Sequence, residues 1–394
     1  MDFPFARLRR WPDVEADNLQ AHDATDLLLV ERALALGVEG REIAVIGDEY
    51  GAITLSLTDA GLDGIRVHQD LATGRRALAR NADELGLLGF STHELDESLL
   101  DGARLVLLQL PKALAELEEI ADAVARWAAP DVVLVAGGRV KHMTIAQNDV
   151  LGRSFAQVHA QRAERKSRLI VASEPRAVPV TSPFPVTAEH GGLTLVAHGG
   201  AFAGAKLDIG TRVLLGALRQ AQGPSFRHAP DTDTDTDTDS VAEPVEASRV
   251  PLIAVDLGCG TGALAASYAL AHPEFRVIAT DRSAAAVASA RATMAANGVA
   301  DRVTVMHDDA GSELADASAD VVLLNPPFHL GSSVHTGAAT RLFEAAARIL
   351  RPGGELFTVF NSSLGYRAEL TRLIGPTAQL ERTPKFTVTR SIRR

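Results

Sequence analysis

Leu252-Ile253-Ala254-Val255-Asp256-Leu257-Gly258-Cys259-Gly260-Thr261-Gly262-Ala263 is the stretch that decides the fold. An apolar run reads as a buried strand, three alternating glycines make a loop, and a helix is expected from about Thr261 to Ala271. Outward from it the pattern repeats: a strand over Arg276 to Thr280, a helix over about Ser283 to Ala296, and strands over Val303 to Met306 and Asp320 to Leu324. A helix near Ala339 to Leu350 ends at the breaker Arg351-Pro352-Gly353-Gly354, and a strand follows over Glu355 to Phe360. Thr377 to Glu381 and Phe386 to Thr389 read as a closing hairpin. Strands alternating with helices imply an α/β fold of the Rossmann-like, doubly wound kind with a mostly parallel sheet.

The loop carries chemistry. Glycines before a helix N-terminus let backbone approach a ligand closely. A dinucleotide site calls for G-x-G-x-x-G, but Gly262 comes one residue early and Ala263 stands at the last glycine position. Asp256 adds a carboxylate at the loop mouth, which suits a ligand bearing an ammonium group, and S-adenosylmethionine meets that requirement. Asp281 ends the next strand, where a carboxylate can accept from both ribose hydroxyls. One of the pair Asp308-Asp309 is placed to accept from an adenine amino group, with Asp309 favoured. Cys259 reads as a small packing residue.

Asn325-Pro326-Pro327-Phe328 follows the apolar strand at the same sheet edge, where ligands bind in open α/β sheets. A ring amine such as guanine N2 is a poor nucleophile because its lone pair is delocalised. The Asn325 side-chain oxygen and the Pro326 carbonyl can each accept one N–H and aim the lone pair, the prolines stiffen the backbone, and Phe328 offers a face for the base. The proton leaves after transfer, so no strong general base is needed.

The first half of the 394-residue chain runs through similar elements. Ala44 to Ala52 lies against Val255 to Ala263, Arg66 to Asp70 against Arg276 to Asp281, and Leu107 to Lys112 against Leu323 to Phe328. Asp48-Glu49-Tyr50 occupies the glycine loop of that copy, so it reads as a degenerate duplicate. The expected division is a degenerate domain over 1–195, a connector over 196–222, an acidic Asp-Thr insert over 223–249 read as disordered, and a catalytic domain over 250–394.

The net charge of −11 argues against a nucleic-acid partner on its face. The average hides a basic set, Arg139, Lys141, Arg162, Arg165, Lys166 and Arg168, which is the candidate RNA face. The one cysteine excludes a disulfide framework and a multi-cysteine zinc site, and nothing supports a metal. Without an apolar leader or a membrane-length run, the reading is cytoplasmic.

The segments VDLGCGTG, ATD, HDDA, NPPFH and RPGGEL resemble class I S-adenosylmethionine methyltransferases of the small-domain type. With Gln20 to Ala24, Leu110-Pro111-Lys112, Lys206 to Gly210 and NPPFHLG, the chain resembles bacterial ribosomal RNA guanine-N2 methyltransferases built from tandem domains. Leu110-Pro111-Lys112, Gly365-Tyr366 and Lys385-Phe386 look more like the large-subunit (23S) branch than the small-subunit (16S) branch. The resemblance implies a first domain that aids folding and RNA recognition. It also implies Asp256, Gly258, Gly260, Gly262, Asp281 and Asp309 as cofactor contacts, Asn325 to Phe328 as the reacting site, and Lys206-Leu207-Asp208 as a wall before the cofactor. Competing readings are methylation of 16S RNA, of adenine N6 or of a release-factor glutamine, and a non-catalytic RNA-binding or ribosome-assembly factor.

Overall fold

The computed structural model describes residues 3–221, 251–327 and 336–394. The acidic insert, Phe328 and the residue after it lie outside the described residues. The first half supplies strands β1 (Ile43–Ile46), β2 (Ile65–His68), β3 (Phe90–Thr92), β4 (Leu105–Gln109), β5 (Val133–Arg139), β6 (Phe155–Ala160) and β7 (Ser167–Pro175). They form one sheet in the order β3-β2-β1-β4-β5-β7-β6, with β1 to β5 parallel and β7 antiparallel to both neighbours. Helices α1 (Ala24–Leu36), α2 (Ala52–Asp59) and α3 (Ala72–Leu85) cover one face, while α4 (Glu97–Leu100), α5 (Leu114–Trp127) and α6 (Ile145–Ser154) cover the other. Burial on both faces is why β1 and β4 are continuous apolar runs rather than alternating ones.

A hairpin, β8 (Val186–His190) and β9 (Leu193–Ala197), then leads to α7 (Ile209–Ala221). The second sheet holds β10 (Leu252–Leu257), β11 (Phe275–Asp281), β12 (Val303–His307), β13 (Ala319–Leu324), β14 (Leu350–Asn361), β15 (Thr377–Arg382) and β16 (Phe386–Ile392). Its order, β12-β11-β10-β13-β14-β16-β15, repeats that of the first sheet strand for strand. Between the strands run α8 (Ala263–Ala271), α9 (Ala284–Ala296), α10 (Thr336–Ile349) and α11 (Arg367–Leu373). Among the described residues no helix is long and apolar enough to cross a membrane.

Three expectations shift. The α8 helix starts at Ala263 rather than Thr261, because Gly258, Gly260 and Gly262 all take positive φ (78°, 54° and 79°), which a right-handed helix cannot continue. The breaker at Arg351 to Gly354 is stitched into β14, since the Gly353 N–H donates to Arg393 O (2.8 Å) and the Arg393 N–H to Gly354 O (2.8 Å). The hairpin β8–β9 lies partly ahead of the boundary drawn at 195, yet it packs on the second half. Thr194 exchanges hydrogen bonds with the Asn297 amide (3.0 and 2.7 Å), the Val196 N–H donates to Thr293 Oγ1 (3.0 Å), and Leu193 and Leu195 enter the second core.

The register also corrects the repeat by one residue. Gly47 donates to His68 O and Gly258 to Thr280 O, and the Leu71 N–H bonds Gln69 Oε1 as the Ser283 N–H bonds Asp281 Oδ1 (2.9 Å each). Gln69, not Asp70, is therefore the counterpart of Asp281, and Asp70 that of Arg282. The equivalent loops meet each other: Leu71 and Ser283 form an antiparallel bridge, flanked by Ala72 N–H to Arg282 O and Ala284 N–H to Asp70 O (2.8 Å each). Equivalent residues contacting reciprocally are the mark of a two-fold relation.

Candidate active site

Parallel pairing sets Asp256 opposite Leu323 and Asp281 opposite His307. Past the last paired residues these neighbouring strands lead into Gly258 and Asn325, at adjacent strand ends. The glycine loop, Asp281, the Asp308-Asp309 pair and Asn325 thus share the carboxyl edge of the second sheet.

A methyl-sized Cβ at Gly258 or Gly260 would meet nothing within 4 Å, so this side of the loop is open to a ligand. At Gly262 the same atom would come 2.5 Å from Met294 Cε and 3.2 Å from Ala290 Cα, so that glycine serves close packing of α8 on α9. Asp256 is fully buried; its Oδ2 accepts the Ala265 N–H (2.9 Å), and its Oδ1 has no partner among the described residues. Burial pushes its carboxyl up to about 7. It is both a cap for α8 and an unspent acceptor at the loop. Asp281 ties the loop to the next strand: Oδ2 accepts the Gly260 N–H and Oδ1 the Ser283 N–H (2.9 Å each), and burial raises its pKa against those two bonds. Burial likewise pushes the Cys259 thiol well up, leaving no reactive thiolate.

The two neighbouring carboxylates differ sharply. Asp308 is buried and accepts from Ser312 Oγ (2.5 Å), the Glu313 N–H (3.0 Å) and Arg76 Nη2 of the first half (2.8 Å). Burial opposes its charge, but those three donors hold it below the usual carboxylate range. Asp309, which the sequence favoured, pairs with Arg341 on α10 and keeps capacity for a further donor.

Asn325 is the most telling group. Its Nδ2 donates to Asp208 Oδ2 (3.1 Å) and to Thr211 Oγ1 (2.9 Å), both at the start of α7, while its Oδ1 is buried with no partner among the described residues. The opposite amide orientation would set Oδ1 against the Asp208 carboxylate, so the chemistry of the neighbours fixes which atom is free. Pro326 is buried and Pro327 exposed. Asp208 was read from the sequence only as part of a wall; Thr211, three residues on, was missed, although Asp-x-x-Thr at a helix start is a visible signal.

The first half has the same device in altered form. Asp23 caps α1 as Asp208 begins α7, and Gln109 Nε2 bonds Asp26 where Asn325 bonds Thr211. There Asp26, buried beside Asp48, is pushed up to about 8. Val45 stands where Asp256 does, and Asp48 caps α2 from the loop instead, through the Thr54 N–H (2.7 Å).

The basic set gathers at the corner where β5 and β7 pair, which places Arg139 opposite Ser167 and Gly138 opposite Arg168. Arg139 faces Asp23 (3.7 Å) and Arg165 faces Glu31 (2.8 Å), while Lys141, Arg162 and Lys166 are exposed and Arg168 is half-buried. Among the described residues no three His, Cys, Asp or Glu side chains form a metal-binding group.

Residues 1–176 match the family described as RLMG N-terminal domain, and residues 232–390 match Methyltransferase small domain. Curated relatives named ribosomal RNA large subunit methyltransferase G are similar over almost their whole length. The one from Pseudomonas aeruginosa is 34% identical, and the one from Streptomyces avermitilis 32% identical; each match covers 98% of this chain and 97% of the relative. Among solved structures, a T. thermophilus 16S rRNA N2 G1207 methyltransferase in complex with AdoMet and guanosine has the same fold. It matches with a TM-score of 0.72 and 23% identity over 95% of this chain and 92% of that one.

Proposed function

Because the chain belongs to the ribosomal RNA large subunit methyltransferase G family, we propose that it transfers a methyl group from S-adenosylmethionine to the exocyclic N2 amine of a guanine in 23S RNA. The observation that carries this is the buried, unpartnered Asn325 Oδ1, with both Nδ2 hydrogens committed elsewhere. A buried acceptor without a partner costs free energy, and a substrate N–H is what offsets it.

The cofactor fits the residues present. The open side of Gly258 and Gly260 admits a ligand, Asp256 Oδ1 is a spare acceptor for an ammonium group, and Asp281 stands at the strand end for ribose hydroxyls. Asp309 is assigned the adenine amino group. When bound, the cofactor supplies an electrophilic methyl on a sulfonium. Asn325 Oδ1 and the Pro326 carbonyl accept the two N–H bonds of the guanine amine, point its lone pair outward and stabilise the positive charge that grows on nitrogen. Phe328 is assigned the stacking face. The methylated amine is acidic enough to lose its proton to water, so none of these residues acts as a base.

RNA contact by the first half rests on the basic corner at β5 and β7, with Lys141, Arg162 and Lys166 free to meet phosphates. Ribosomal RNA as substrate supports a cytoplasmic location. Mass spectrometry of ribosomal RNA nucleosides and fragments from cells with and without the gene tests the assignment. Loss of one N2-methylguanosine from 23S RNA is the expected result. An unchanged 23S RNA, with the protein expressed, overturns it, and a loss from 16S RNA would transfer it to the other branch.

A further inference from the structure

The first half keeps Gly47 and Gly51 at the positions of Gly258 and Gly262 but has Glu49 at that of Gly260, and it reaches the two loops on which cofactor binding in the second half depends. Asp70 Oδ1 accepts the Ala285 N–H (2.9 Å) and the Ser283 hydroxyl (3.1 Å), so the start of α9 is capped from the other half. The Ser283 N–H in turn fixes Asp281 Oδ1 (2.9 Å). The second loop is held by Arg76, whose guanidinium reaches buried Asp308 (2.8 Å), Ser312 Oγ (2.9 Å) and Glu313 (2.9 Å). His307 Nε2 lies within bonding distance of both Asp70 O (2.9 Å) and Arg282 O (2.8 Å), joining the two loops at their root. With Asp308 wholly inaccessible and Arg76 about one third exposed, this pair is not a screened surface contact.

We infer that Asp70 and Arg76 are positioning residues for the cofactor: the degenerate half sets the geometry of the ribose and adenine loops, and cofactor affinity is coupled to the contact between the halves. The inference rests on the cofactor reading above. Neither residue touches the cofactor; each acts through groups that hold Asp281 and Asp309 in place. A coupling of this kind is reciprocal, so whatever the contact contributes to cofactor binding, the cofactor returns to the contact.

The test uses the full-length protein and S-adenosylmethionine. Asp70→Ala and Arg76→Ala are expected to raise Kd for S-adenosylmethionine by about 5-fold to 150-fold, the usual span of a coupling. The turnover at saturating cofactor and the KM for RNA should stay within about twofold. Asp70→Asn, whose Oδ1 still accepts both donors, should restore Kd to within about threefold of the parent. In the unaltered protein, added S-adenosylmethionine should slow amide exchange in residues 70–76, although they do not contact it. Folded variants with unchanged Kd overturn the inference. Should the variants fail to fold, the exchange measurement decides, and unchanged protection of 70–76 on cofactor addition overturns it. A parent protein that binds no S-adenosylmethionine would sink the cofactor reading instead, a result separable from either of these.

Discussion

Asn325→Ala removes the spare acceptor together with the two Nδ2 hydrogen bonds that orient it. In the parent, Asp208 and Thr211 take both Nδ2 hydrogens, so Oδ1 has one orientation and waits unpaired in a buried site. No reorganisation is needed when the substrate amine arrives, and the bond strengthens as the nitrogen becomes positive, which is the condition for lowering the barrier. Removing one preorganised group of this kind costs roughly 2.7 to 4 kcal/mol of transition-state stabilisation, or about 10²- to 10³-fold in kcat. The folded state loses an unsatisfied acceptor but also the bonds to Asp208 and Thr211, so stability should fall by about 1 to 3 kcal/mol, small enough to leave the variant folded. The assay is transfer of labelled methyl to 23S RNA at saturating cofactor, with Kd for S-adenosylmethionine measured by calorimetry on the same preparation. The expected result is a collapse of kcat with Kd within about twofold. A kcat within about threefold of the parent refutes the acceptor mechanism, and a collapse of Kd instead would make Asn325 a cofactor ligand.

Asp208→Ala should lower kcat by about tenfold, the worth of a charge-assisted hydrogen bond of roughly 1.5 kcal/mol, because Thr211 alone can donate or accept and no longer fixes the amide. Asp208→Asn should recover most of that loss, and equal rates for the parent and the alanine variant would refute the lock. Gly262→Ala places Cβ against Met294 and Ala290 at φ 79°, whereas Gly258→Ala at φ 78° meets open space. Thermal unfolding should therefore rank Gly262→Ala below Gly258→Ala, and the reverse order would show that α8 and α9 can part freely. Asp256, pushed up to about 7 by burial, must ionise to receive an ammonium group. Kd for S-adenosylmethionine should rise by about tenfold per pH unit below 7 and flatten above it, and Asp256→Asn should abolish the slope. The linked stability runs the opposite way: a raised folded pKa favours the protonated folded state, so this carboxyl's contribution is full below about 3.9 and is lost as pH rises through 7. A cofactor affinity flat from pH 5 to 8 would remove Asp256 from the ammonium site.

The sheet was legible because its central strands are buried on both faces and write themselves as apolar runs such as Leu252 to Leu257 and Leu105 to Leu108. Gly258, Gly260 and Gly262 were legible because positive φ leaves glycine as the economical residue. What the sequence hid is pairing at a distance. The Asn325 amide finds partners more than a hundred residues away on α7, and the equivalence of Asp208 with Asp23 shows only when the two helix starts are superposed on their sheets. The repeat slipped by one residue between Asp70 and Gln69 because strand register, not residue identity, sets the correspondence. Asp308 and Asp309 are indistinguishable in sequence; Arg76 and Arg341, from different elements, give them separate tasks.

The bridge between Leu71 and Ser283 uses backbone alone, and by symmetry the same pairing is open to two second halves or two first halves from different molecules. The side chains at the flanking equivalent positions decide otherwise. One half carries Asp70 and the other Arg282. Two second halves would present Arg282 where Asp70 stands and lose the carboxylate that accepts from the Ser283 hydroxyl and the Ala285 N–H. The difference at this duplicated position favours the unlike pair, which a single chain supplies at high effective concentration. Pairing of two second halves from neighbouring molecules therefore forfeits the cap that Asp70 gives α9 within one chain.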